Sequence, residues 1–291
     1  MARPTGDNEI VRRLAQFIYL RASDLAELTG RSEYVMWRRL RALGNGEFLP
    51  FGKRKGEEMS GAGLVDYIIE PGEERRSQNG FSSLAGLRRI YFLTQKGWDR
   101  ALKLEYIKQP VTATAEKSNL MLDHDLALTD YHLALWRKWG DKLEWRQYHH
   151  VLYHRFGKGD NDMVNADAYF WIEAPGHPAF FVEMENIREH SYDTKGNSKM
   201  VRKGLAFAAY ADGHYQDDFA PNPDFRVIFI RTTQTLAVNA VKKYHAHGKQ
   251  LRSGRYWFTD IHRAKSGADR IYSTPKDFEN ALHALEDTVR T

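Results

Sequence analysis

Three carboxylates stand out by where they fall. Asp167 lies in the apolar run 164–172, and Glu183 and Glu185 close the apolar run 179–185. Both runs have the length and composition of β-strands, and the two-residue repeat of a strand sets Glu183 and Glu185 on one face of a sheet. A carboxylate among buried apolar side chains is costly unless something neutralises it. A hard divalent cation does so with oxygen ligands, and Mg²⁺ is commonly held by one or two carboxylates together with a substrate phosphate. The competing reading is that these acids face water along an edge strand. Two neighbouring strands that both end in acids favour the cation.

The segments around them define the elements that must position these groups. Alternating or apolar runs over 145–153, 164–172 and 179–185 predict three successive strands. A helix with Leu122, Leu126, Leu133 and Leu135 among its apolar positions is expected before them, over 118–138. A long helix over 195–211, a strand over 225–230, a helix over 235–249 and a short strand over 256–258 follow. The order α-β-β-β-α-β, with additions, predicts an α/β (α+β) domain: a mixed sheet flanked by helices.

The first third of the chain has a different character. Ile10, Val11, Leu14, Phe17 and Ile18 form a helical stripe over 7–20. Ser23 is a suitable N-cap for a second short helix, and Gly30 a suitable left-handed stop. A third helix is expected from Ser32 to Leu43, ended by Gly44 and Gly46. Two helices across a short glycine-containing turn make a helix-turn-helix, whose second helix enters the DNA major groove. Arg31, Ser32, Tyr34, Arg38 and Arg41 are its candidate DNA contacts, because arginine both reads guanine and anchors phosphate. The plainer reading is a helical hairpin with a solvated basic face; Trp37 suits either core or contact. The strand 89–94 and the helix opened by Thr94-Gln95-Lys96-Gly97 come next. Residues 50–87, with Lys53-Arg54-Lys55 and Arg75-Arg76, read either as an enlarged wing gripping the DNA backbone or minor groove, or as a solvated loop. The Pro110-containing stretch 107–116 reads as a linker, which gives two domains, 1–108 and 117–291.

Charge follows this division. Residues 1–110 hold 19 Lys+Arg against 14 Asp+Glu, and the remainder is balanced, so the whole excess of +5 sits on the first domain. That domain is expected to meet phosphate first. The chain has no cysteine, which excludes disulfides and thiolate zinc sites and suits a reducing, cytoplasmic setting. No apolar window reaches membrane-span length, and the N-terminal MARPTGDNEIVRR lacks a signal-peptide core, so neither a membrane span nor secretion is expected. No Gly-rich ATPase motif occurs. His245-Ala246-His247 falls in a helical pattern whose spacing points the two rings apart, and 160–171 lacks the glycine of a calcium loop.

With these residues in view, the second domain resembles the PD-(D/E)xK nuclease superfamily. Asn165-Ala166-Asp167 stands where its Pro-Asp element falls, and Glu183-Met184-Glu185 where its acid-x-lysine falls, with Glu185 a departure at the lysine position. The whole chain, over about 10–245, is similar to the replication-relaxation family of plasmid proteins, which includes MobC-type relaxases. That similarity rests on Tyr91 to Gly97, on His124 to Asp130, on Asn165-Ala166-Asp167-Ala168 and on Phe181 to Glu185; the insertion at 50–87 departs from it.

The resemblance implies a winged helix-turn-helix joined to a restriction-endonuclease-like domain that nicks double-stranded DNA at a plasmid or mobile-element origin. It implies Mg²⁺ or Mn²⁺ on Asp167, Glu183 and Glu185, with Lys199 or Lys203 stabilising phosphate charge and His124 orienting water or touching the phosphate. Other mobilisation or replication proteins are the implied partners. The alternative is a non-catalytic DNA-binding replication initiator or transcriptional regulator on the same scaffold.

Overall fold

The computed structural model describes residues 6–44, 63–69, 89–107, 110–112, 119–147, 153–155, 157–158, 163–173, 177–184, 199–215, 224–266 and 271–276. The chain divides into two compact units, Met1–Asp125 and Leu126–Thr291. Lys53, Arg54, Lys55 and most of the expected linker lie outside the described residues.

In the first unit, α1 (Gly6–Phe17) buries Ile10, Val11, Leu14 and Phe17 completely. It ends earlier than its apolar stripe suggests, because Ile18 turns to φ 68° and delivers Leu20 into a strand, β1 (Leu20–Arg21). Helix α2 (Ala22–Thr29) starts one residue before Ser23, which is exposed in the first turn. Asp24 supplies the cap instead: its carboxylate accepts the Arg21 N–H at 2.9 Å. Gly30 closes α2 at φ 64°, the left-handed conformation in which glycine has no Cβ penalty. Helix α3 (Glu33–Leu43) is capped by Ser32, whose hydroxyl accepts the Val35 N–H at 3.4 Å.

Strands β2 (Val65–Ile69) and β3 (Arg89–Leu93) complete an antiparallel sheet in the order β1-β3-β2. The Thr94–Gly97 motif fastens this sheet to α4 (Gln95–Lys103). Thr94 donates its hydroxyl to the Gly63 carbonyl at 2.6 Å and accepts the Gly97 N–H at 3.3 Å as helix cap. A Cβ at position 97 would lie 2.2 Å from the Leu64 carbonyl, so only glycine fits there.

Helix α5 (Asn119–Trp139) carries the division between the units. The second unit then runs β4 (Leu143–Arg146), β5 (Tyr153–Arg155), β6 (Met163–Asn165), β7 (Ala168–Ile172), β8 (Ala179–Met184), α6 (Lys199–Ala211), β9 (Phe225–Arg231), α7 (Gln234–Ala246), β10 (Tyr256–Asp260) and α8 (Ile261–Ser266). Five strands form a mixed sheet in the order β10-β9-β8-β7-β4. Within it β8, β9 and β10 are parallel, and β7 is antiparallel to β8 and to β4.

Two expected strands are subdivided. The run 145–153 contributes its start to β4 and its end to β5, and the run 164–172 breaks at Ala166-Asp167 into β6 and β7. Strands β5 and β6 pair with each other in a separate two-stranded sheet. Apolar side chains cover both faces of the five-stranded sheet, as parallel strands flanked by helices require. Phe181, Val227 and Phe229 pack with Phe207 and Tyr210 of α6 and Tyr244 of α7. On the other face, Phe180, Val182 and Ile228 pack with Leu128 and Tyr131 of α5 and Ile261 of α8.

Candidate functional site

Strand β8 is buried from end to end, and Glu183 is its one charged residue, 4% exposed. Strand alternation puts Glu183 on the face of Phe181, and its register partner in β9 is Phe229, so it belongs to the face covered by α6 and α7. Strand β7 meets β8 with Ala168 opposite Val182. Asp167, one residue earlier in the bend, donates its N–H to the Val182 carbonyl at 3.0 Å. Its carboxylate Oδ2 accepts the Met184 N–H at 2.7 Å. Asp167 is thus tied to both residues that flank Glu183. The break in the strand is what frees its side chain to reach the β8 backbone.

The cation beside Glu183 comes from the next helix. Lys203 Nζ donates to Glu183 Oε2 as an ion pair; the lysine side chain keeps 37% exposure, while the carboxylate is enclosed. A buried charge with no partner is strongly unfavourable, and this pair removes that cost at the sheet's edge of solvent. Asp167, Glu183 and Lys203 are therefore gathered at one end of β8. Lys199 opens α6, but its side chain, like all of Glu185, lies outside the described residues. His124 lies on α5, before the division between the units, with Nδ1 3.2 Å from Asp125 Oδ1.

Among the described residues no three acidic or histidine side chains gather as a ready metal cage. Asp167 and Glu183 supply carboxylate oxygens alone, a donor type that suits Mg²⁺ or Mn²⁺, and two such ligands suffice where substrate and water complete the shell.

Sequence reasoning missed what holds Lys203 in place. The Tyr244 hydroxyl of α7 donates to the Met200 carbonyl at 2.6 Å, and the Tyr256 hydroxyl of β10 donates to the Gly204 carbonyl at 2.8 Å. These carbonyls lie one helical turn apart on α6 and bracket Lys203. A Cβ at Gly204 would come within 2.5 Å of the Tyr244 hydroxyl, so glycine lets α7 approach this closely. Burial pushes the Tyr244 phenol well above its usual range; the neighbouring Tyr256 phenol and the Glu183 carboxylate add to the rise, and Arg231 opposes it. The one available signal was a glycine inside an otherwise regular helical pattern.

In the first unit, α3 presents a basic and aromatic face. Tyr34, Trp37 and Arg38 are exposed and Arg41 is half-buried, while Met36, Leu40 and Leu43 point into the core. The Arg38 guanidinium lies 6.0 Å from the Tyr34 ring centre and that of Arg41 4.7 Å from the Trp37 ring. Ser32 spends its hydroxyl on the helix cap, and Arg31 is half-buried beside Gly6. Trp37 is a surface residue and not part of the core.

No protein-family model, no curated protein and no solved structure matches the chain. Among the described residues no helix is long and apolar enough to cross a membrane.

Proposed function

We propose that this chain is a site-specific DNA nicking endonuclease dependent on Mg²⁺ or Mn²⁺, acting on double-stranded DNA at a plasmid or mobile-element origin. In this reading the first unit is a winged helix-turn-helix that selects the site, and the second is a PD-(D/E)xK-like domain that cuts. The observation that carries it is the enclosed Glu183, flanked by the backbone bonds of Asp167 and paired with Lys203 from the following helix. The strand order supports it too: an antiparallel β4-β7-β8 meander, a helix, then β9 parallel to β8. For the first unit, the support is the sequence α1-β1-α2-α3-β2-β3 with a three-stranded antiparallel sheet.

Asp167 and Glu183 would hold the metal, with Glu185 a third candidate; when bound, it polarises the phosphoryl oxygen and lowers the pKa of an attacking water. The Met184 N–H fixes the Asp167 carboxylate so that it does not have to be ordered at the moment of reaction. Lys203 pairs with Glu183 and would bring a cation to the place where phosphate charge develops.

Supercoiled plasmid carrying the cognate site, incubated with Mg²⁺ or Mn²⁺, is expected to convert to open circle. Asp167→Asn and Glu183→Gln should abolish the conversion, and chelation should stop it reversibly. Specific binding without any conversion in either metal overturns the nuclease reading. It would favour a replication initiator or transcriptional regulator, a second reading supported by the Lys203–Glu183 pair itself, which already neutralises the buried carboxylate.

A further inference from the structure

The described residues expose four large hydrophobic side chains, and three of them, Tyr34 at 67%, Val35 at 40% and Trp37 at 37%, lie on α3. Two of these are aromatic rings one helical turn apart, and each has an arginine four residues on that leans toward its ring: Arg38 toward Tyr34 and Arg41 toward Trp37. Positions 34, 37, 38 and 41 fall on one helical stripe. Exposed apolar side chains clustered on one helix mark an interaction surface, and here the rings are interleaved with guanidinium groups, which suits an anionic partner that also has flat apolar faces.

Paired DNA does not offer such faces. In the major groove it shows base edges, whose readout is by hydrogen bonds and contact with thymine methyl groups. Unpaired nucleotides offer both requirements, since each base has an open π-face and each link a phosphate.

Resting on the reading that the first unit binds DNA, we propose that the α3 stripe is a stacking platform for unpaired bases, so that the chain prefers locally melted DNA to intact duplex. Tyr34 and Trp37 stack the bases, and Arg38 and Arg41 hold the adjoining phosphates.

The test uses the full-length chain and three labelled oligonucleotides of equal length at fixed salt: a duplex, the same duplex with a central unpaired bubble, and a single strand, with affinity read by fluorescence anisotropy. Phosphate contacts are common to duplex and bubble, so their affinity ratio isolates the stacking contribution. The bubble is expected to bind about 10-fold or more tighter than the duplex, since stacking on one aromatic ring is worth roughly 5- to 160-fold by alanine substitution. Tyr34→Ala and Trp37→Ala should each lower that ratio, the double variant should bring it near one, and Trp37→Phe should restore most of the loss. Equal affinity for bubble and duplex in the wild type, or a ratio untouched by the double variant, overturns the stacking platform while leaving duplex binding intact. Failure to bind any of the three overturns the DNA reading of this unit along with it.

Discussion

Lys203 and Glu183 form a pair in which one partner is shut away from water and the other is not. That asymmetry decides what each substitution does. Lys203→Met removes the half-exposed cation and leaves an enclosed carboxylate uncompensated, which should cost up to about 3 kcal/mol of unfolding free energy, measured by urea denaturation. Replacing both partners with apolar residues should recover much of that loss, because the cost lies in the unpaired charge rather than in the missing attraction. Asp167 separates structure from chemistry in the same way. Asp167→Asn retains an oxygen to accept the Met184 N–H and should change stability by less than about 1 kcal/mol, while Asp167→Ala orphans that buried donor and should cost about 1–3 kcal/mol. If nicking is lost equally in both variants while stability differs, the carboxylate charge and not the fold is what the reaction needs.

At the scale of elements, the Thr94–Gly97 segment joins sheet to helix through one side chain and one missing Cβ. Gly97→Ala drives a methyl into the Leu64 carbonyl and should lower stability by about 2 kcal/mol or more, the range for overpacked sites, read as a drop in Tm. Gly204→Ala should act similarly against Tyr244, and Tyr244→Phe should rescue it in part, giving a non-additive double-mutant cycle. How far these features were legible in the sequence differs for physical reasons. The ends of β8 and β9 follow from continuous apolar runs that only a doubly covered sheet can bury, so Glu183 was visible as an acid inside such a run. The Thr94–Gly97 pattern was visible as well, but its reason was not, because Gly63 and Leu64 lie some thirty residues earlier and only the fold brings them close. The break at Ala166-Asp167 leaves no mark in hydrophobic alternation, which continues through it. The phenols that hold α6 come from forty to fifty residues downstream, a separation that no local periodicity encodes. The Ser23 cap failed because Asp24 competes for the same helix start through the Arg21 N–H, and a charged acceptor at that position wins.

Over the whole molecule, two forces set the response to solvent. If the first unit binds DNA as proposed, the positive excess on residues 1–110 should make the affinity fall steeply with salt, and Arg38→Ala should reduce the slope of log K against log salt by about one. Buried phenols govern the alkaline side. Tyr91, Tyr131, Tyr215, Tyr244 and Tyr256 all have pKa values raised above the usual 10.0, chiefly by burial. A phenol raised in the folded state stays protonated there while its unfolded counterpart ionises, so its contribution is complete below pH 10 and is lost as pH climbs beyond it. Stability measured by urea denaturation should therefore be insensitive to these groups up to about pH 9. Above pH 10 it should fall by about 1.4 kcal/mol per pH unit for each of these tyrosines that remains protonated, with the phenolate absorbance of these five appearing on unfolding.

Because α6 hangs from two hydroxyls donated by a helix and a strand beneath it, the height of its ammonium above the sheet is fixed from below. Random mutagenesis selecting for a loosened lysine should then return positions 244 and 256 beside 203 itself, although neither of those rings carries a charge. Tuning the reach of that cation would mean shortening or lengthening what props the helix up, not altering the face it shows to solvent.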